Sequence, residues 1–194
     1  MQYLVELYNE LLVATAVHKV FSVQVIIAIS YAVALVLSFY RALRNRELFS
    51  DFLSIAVVVF KYQLTSLLME KVLIYVQETG ESGIAQNVYL SVAGINLLSL
   101  YILYKLHQRF SYKYGELFLS VFKLTIVVTI AHLIVWVKFV VLNIQEEHAY
   151  IHYMYSFIVI YISIVLAVVM LFPGLLKTKL KLLLSPSWPF GTKI

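Results

Sequence analysis

The sequence predicts an all-α fold: a polytopic transmembrane helical bundle of about five spans, or four if the second segment stays out of the bilayer. Three observations predict it. First, the 194 residues are 62% hydrophobic and 13% charged, with mean hydropathy +0.90. Soluble domains average roughly 45–50% apolar and about 25% charged. The excess is more than one core absorbs, so the outside must also be apolar, as in lipid. Second, five apolar stretches approach the ~20 residues that a helix needs to cross the hydrocarbon. Third, the polar segments between them alternate in charge.

Residues 1–19 precede the first span. Leu4, Tyr8, Leu11, Leu12 and Thr15 share one helical side, with Glu6, Asn9 and Glu10 elsewhere. That is the pattern of an amphipathic helix lying on the membrane or on a partner. A simple extension of the first span fits equally well, because residues 1–79 contain neither Gly nor Pro. No cleavable signal peptide is expected. Glu6 and Glu10 stand where a basic region belongs, and no small-residue cleavage site follows.

The first span is predicted from about Val20 to Tyr40. The second runs from Phe52 to about Val76 and is the most polar. The third runs from about Val88 to Tyr104, the fourth from Leu117 to about Leu142, and the fifth from Tyr153 to Phe172. Strands are not expected, since no sustained period-two alternation occurs. Gly80 and Gly83 mark a loop, Gly115 precedes the fourth span, and Pro173 and Gly174 end the fifth. Residues 1–174 thus form a single transmembrane domain, and 175–194 a basic and aromatic tail. Its lysines, Trp188 and Phe190 suit a headgroup layer or a docking partner. Glu47-Leu48-Phe49 and Glu116-Leu117-Phe118 hint at two parallel hairpins, a match that apolar sequence also produces by chance.

Ten of the fifteen Lys and Arg residues fall in three segments: Arg41, Arg44 and Arg46; Lys105, Arg109 and Lys113; and Lys177, Lys179, Lys181 and Lys193. The intervening loops carry Glu78 and Glu81, then Glu146 and Glu147. Basic loops stay cytoplasmic. The expected topology therefore has an outside amino terminus and a cytoplasmic carboxyl terminus, in a membrane of the bacterial inner type. Tyrosines near both boundaries agree, with Tyr40, Tyr101, Tyr104, Tyr112 and Tyr114 at the inner one and Tyr75, Tyr89, Tyr150, Tyr153 and Tyr155 at the outer.

Ionisable groups inside lipid are costly and mark functional candidates. On the second span, Gln63, Ser66, Glu70 and Gln77 share a stripe, with Lys61 opposite. On the fourth, Thr125, Thr129, His132, Trp136 and Asn143 share one, with Lys123 and Lys138 on the other side. Both spans run the same way, and Glu70 and His132 lie at similar depths. Their shared depth lets them meet in the interior, as a coupling or ion pair, with interhelical hydrogen-bond glue as the plainer reading. Lys123 and Lys138 are expected to snorkel. Small residues at Ser30, Ala34 and Ser38, at Ser163 and Ala167, and at Ser91 and Gly94 offer packing faces.

Without cysteine, disulfides and thiolate chemistry are excluded. Only His132 lies well inside a span, which disfavours haem. His148 and His152 with Glu147 suit a solvated loop better than a metal site. No cofactor and no metal are expected, and the net charge of +5 does not call for nucleic acid. The sequence points to a non-enzymatic membrane subunit, a homo-oligomer working as sensor, anchor or scaffold with a cytoplasmic protein partner and anionic headgroups. Arg41, Arg44, Arg46, Lys105, Arg109, Lys113, Lys177, Lys179 and Lys181 would make those contacts. The alternative is a small ion channel or proton/ion-coupled transporter using Lys61, Gln63, Glu70 and His132.

Overall fold

The computed structural model describes residues 23–44, 48–79, 86–110, 114–144, 149–180 and 184. The predicted amphipathic segment, most of the tail, and Arg46, Lys113, Glu146, Glu147, His148 and Lys181 lie outside the described residues. Among the described residues the fold is all-helical. It comprises α1 (Val23–Leu43), α2 (Phe49–Thr79), α3 (Val88–Phe110), α4 (Glu116–Trp136), a π-helical turn (Val137–Val141), α5 (Ala149–Leu171) and a 3-10 turn (Pro173–Lys177). Five helices are long and apolar enough to cross a membrane: Val25–Leu43, Phe49–Val72, Val88–Phe110, Glu116–Val141 and Tyr153–Leu171. The second segment is one continuous helix despite Lys61 and Glu70, so five candidate spans are present rather than four.

The ends of the helices follow from local chemistry. Asp51 and Glu116 sit in the first turns of α2 and α4, where the helix dipole favours negative charge. Arg41 and Arg109 sit in last turns, the complementary place. Phe172, which precedes Pro173, leaves the helical region at φ −128° and ψ 69°, as steric conflict with a following proline dictates. The π turn of α4 bonds Leu142 N–H to the Val137 carbonyl at 2.9 Å. Asn143 then takes a left-handed φ of 53° and stops the helix, a conformation asparagine tolerates better than most residues.

Each helix packs on its neighbours in sequence, α5 closes back on α1, and α2 also touches α4 across the middle. Odd and even helices run in opposite directions, so α2 and α4 are parallel. Tyr31 fastens one side: its hydroxyl donates to the Ser163 carbonyl of α5 at 3.2 Å, and its ring meets Tyr62 of α2 edge-on at 4.9 Å. Ala34 and Ser38 of α1 and Ala167 of α5 are buried, so those small-residue faces serve packing within the chain. Ser91 and Gly94 on α3 face outward, and a Cβ added at Gly94 meets nothing within 4 Å.

The core is uneven along the bundle axis. It gathers Ile55, Val58 and Val59 from α2, Leu103 from α3, Leu117, Phe118, Val121 and Leu124 from α4, and Val165, Leu166, Val169 and Met170 from α5. Most of the core cluster lies in the starts of the even helices and the ends of the odd ones, with Ile27, Tyr31 and Ala34 of α1 extending it and Val88, Val92, Ala93, Ala131 and Val135 buried toward the other end. The larger part of the core, the tight half, is therefore the end that carries the basic loops. Beyond Val59, no described residue of α2 is fully buried.

Candidate functional site

At the tight end, one buried serine joins three elements. Ser50, in the first turn of α2, lies 2.9 Å through its Oγ from Nε2 of His107 on α3. Its Oγ also accepts the Gly115 N–H, at the start of α4, at 3.0 Å. His107 Nδ1 donates to the Leu103 carbonyl at 2.8 Å, because a carbonyl can only accept. With that proton on Nδ1, the neutral ring receives the Ser50 hydroxyl on Nε2, and Ser50 Oγ keeps a lone pair for Gly115. Phe118 covers the imidazole at a ring distance of 4.2 Å. His107 thus belongs to the interior, although its sequence position marked it as a boundary residue. Its spacing from Leu100 and Leu103, both buried, was the available signal.

The same end carries the exposed charge. Arg44, Lys105, Arg109, Lys177 and Lys179 are all exposed there. Arg41 is partly buried and donates to the Leu171 and Met170 carbonyls at 3.1 and 3.3 Å. It satisfies the orphan carbonyls at the end of α5 and ties α1 to α5. Arg44 lies over Tyr40 at 4.7 Å, and Lys105 over Tyr101 at 5.8 Å.

Inside the bundle, Lys61 turns inward from α2 and reaches Thr125 Oγ1 of α4 at 3.3 Å. Val57, Val58, Ser99, Leu100, Leu103 and Val121 surround the pair, and the gap between them is too small for a water molecule. Thr125, Thr129 and His132 are buried on one stripe of α4. Thr129 donates to the Thr125 carbonyl at 2.7 Å, and His132 Nδ1 donates to the Val128 carbonyl at 2.7 Å. The Tyr155 ring stands edge-on to His132 at 5.3 Å. Asn96 of α3 joins this layer. His107 against Phe118 and Tyr89 against Phe139 fix the antiparallel register of α3 and α4, which sets Asn96 level with Thr129 to His132. Its Nδ2 is buried without a hydrogen-bond partner among the described residues.

Two expectations are corrected by this geometry. Glu70 and His132 do not meet: His132 is buried, whereas Gln63, Ser66 and Glu70 are exposed on the outer side of α2. The stripe was drawn correctly and assigned to the wrong side, because Lys61, opposite it, is the residue that faces α4. Lys138 does not snorkel outward. It is 4% exposed, with its Nζ 4.9 Å from the centre of the Phe139 ring. As the central helix, α4 touches α2, α3 and α5, and its buried arc is wide enough to take in Ala131, Val135 and Lys138.

The site therefore has two layers. A basic end is fixed by buried hydrogen bonds, and above it lies an interior line of Lys61, Thr125, Thr129 and His132, tightly packed around Lys61 and Thr125. Its hydrogen bonds run mainly within α4, apart from the Lys61 link. Comparison with protein-family models finds no match, and comparisons with curated proteins and with solved structures find none either.

Proposed function

We propose that the protein is a non-enzymatic integral membrane subunit that self-associates and holds a rigid basic platform at its cytoplasmic end. It acts there as sensor, anchor or scaffold for a soluble partner with an acidic surface, with anionic lipid headgroups as the competing contact. One observation carries the reading. The exposed cations Arg44, Lys105, Arg109, Lys177 and Lys179 come from three separate segments, yet they project from one end whose geometry is locked by Ser50, His107, Gly115 and Arg41. Fixed charges of one sign steer and orient an oppositely charged partner. The cytoplasmic placement rests on the positive-inside rule.

The test is photo-crosslinking from position 44 in native membranes, with the wild-type chain and a variant carrying Gln at 105, 109, 177 and 179. The reading expects a discrete cytoplasmic adduct that the neutralised variant loses while its elution profile in mild detergent is unchanged. An identical adduct pattern in both proteins, or a monomer with no adduct, contradicts it.

The interior line of Lys61, Thr125 and His132 favours a second reading, a small channel or ion-coupled transporter. The gap beside Lys61 and Thr125 is too small for a water molecule, so a path past Lys61 would need α2 to move. Proteoliposomes with a pH- or ion-dependent flux that Lys61→Met abolishes would support it. Absence of flux would remove it.

A further inference from the structure

Beyond Val59, α2 leaves the core and exposes a second ordered face. Along the middle of a broad exposed arc, flanked by Ser66 and Met69 on one side and Leu64, Lys71 and Tyr75 on the other, run Phe60, Gln63, Leu67, Glu70 and Ile74, all exposed. Their spacing is three, four, three, four, which is the a/d seam of a coiled coil. Lys61 lies about 160° around the helix from Gln63, so the seam and the contact with α4 occupy opposite sides. Facing lipid, the seam would hold an amide in mid-span and a carboxylate near its end, an arrangement that hydrocarbon penalises.

The charges identify the occupant. Lys71 is exposed and follows Glu70, placing lysine at position e and glutamate at position d. In a parallel two-stranded coil, the hole that receives a d side chain is lined in part by the partner's e side chain. Glu70 of one copy therefore meets Lys71 of a second copy, and two-fold symmetry forms the pair twice. The two Glu70 side chains also face each other at this d layer, and the two Lys71 ammonium groups are what offset that like-charge contact. Gln63, at the preceding d position, meets its own symmetry mate. An amide both donates and accepts, so two identical glutamines can hydrogen-bond. Copies inserted with one topology are parallel, as this seam requires.

We propose that the half of α2 from Phe60 to Ile74 is the interface of a parallel two-fold dimer, held in register by Gln63 and by reciprocal Glu70–Lys71 pairs. This gives a location to the self-association in the proposed function and rests on that reading.

The cysteine-free chain makes the test direct. Single cysteines are placed at Leu67 on the seam and at Met69 off it, both exposed, and oxidised in native membranes. Leu67→Cys is expected to give a disulfide dimer at least about 10-fold more abundant than Met69→Cys. In the Leu67→Cys background, Glu70→Lys and Lys71→Glu are each expected to cut the yield several-fold, and the double reversal to restore it. Equal crosslinking at 67 and 69, or a double reversal that stays as weak as the singles, overturns the interface. Single-molecule photobleaching separates the two levels. Two-step bleaching without crosslinking at 67 moves the interface elsewhere and leaves self-association standing; one-step bleaching removes both.

Discussion

Replacing Ser50 with alanine should loosen the basic end more than any comparable loss of one oxygen from this chain. Ser50 is 1% exposed, and its Oγ serves both the Gly115 N–H and His107 Nε2. The substitution leaves almost no cavity, so the cost is the stranding of polar groups. A buried group left without a partner costs about 1–3 kcal/mol. Gly115 N–H bears that cost in full. His107 Nε2 loses its donor but bears less, since the ring can shift its proton to Nε2 and donate to the Ser50 carbonyl 3.1 Å away, giving up its Nδ1 bond to Leu103. The sum is about 2–3 kcal/mol. At about 2–4 °C per kcal/mol for a chain of this size, the unfolding midpoint should fall by about 5–10 °C. Differential scanning fluorimetry on the intrinsic tryptophans in mild detergent reads this directly. Ser30→Ala is the control, because Ser30 Oγ only bonds back to the Ile26 carbonyl of its own helix. A Ser50→Ala midpoint within about 1 °C of wild type, matching the control, would refute the claim that this hydroxyl joins three helices.

Gly115→Ala should destabilise for a steric reason alone, since the backbone there is unstrained at φ −72°. The added Cβ would stand 2.5 Å from Asp51 Oδ1, the end of a side chain that can turn aside, and 3.3 Å from Ser50 Oγ, which two hydrogen bonds hold, so the cost should sit at the low end of overpacking, about 1 kcal/mol; thermal unfolding checks it. Lys61→Met should raise stability by about 1–3 kcal/mol, because a lysine at mid-span carries an insertion cost of about 2.5–3.5 kcal/mol, which its one hydrogen-bond partner among the described residues, Thr125 Oγ1, offsets only in part. Thr125→Val alone should destabilise, and the double variant should sit closer to Lys61→Met than additivity predicts, as a double-mutant cycle will show. Arg41→Gln should cost about 1.5–3 kcal/mol, the range for hydrogen bonds from a charged group, and should raise the rate of limited proteolysis after α5.

The spans were legible because the hydrocarbon imposes a length and the loops carry opposite charges; Gly115 and Pro173 marked their boundaries for the same reason in the folded chain. Which side of a span faces inward was harder to read. In water, the apolar side of a helix is the buried side. In lipid both sides are apolar, and polar residues become the indicator. On α4, Thr125, Thr129 and His132 of the polar stripe do face inward, Trp136 is partly buried, and Asn143, past the π turn, is exposed. On α2, Lys61 lies on one side and Gln63, Ser66 and Glu70 on the other, and sequence alone gives no reason to prefer the single cation over the three-residue stripe. Lys138 was misassigned because the number of neighbours α4 would touch is a property of the assembled bundle. Ser50 carried no local signal, since serine occurs throughout these spans and only the approach of α3 and α4 gives it three partners.

The most direct test of a five-span bundle with its basic end in the cytoplasm is accessibility at the two ends of α2. Leu48, before α2, and Glu78, in its last turn, are both exposed, and the chain has no cysteine to interfere. Single cysteines at 48 and 78 are treated with a membrane-impermeant maleimide in intact cells and again after permeabilisation. The predicted result is labelling at 78 in intact cells and at 48 only after permeabilisation. Labelling of both positions from the same side would contradict a membrane-crossing α2, and reversed labelling would contradict the cytoplasmic placement of the basic platform.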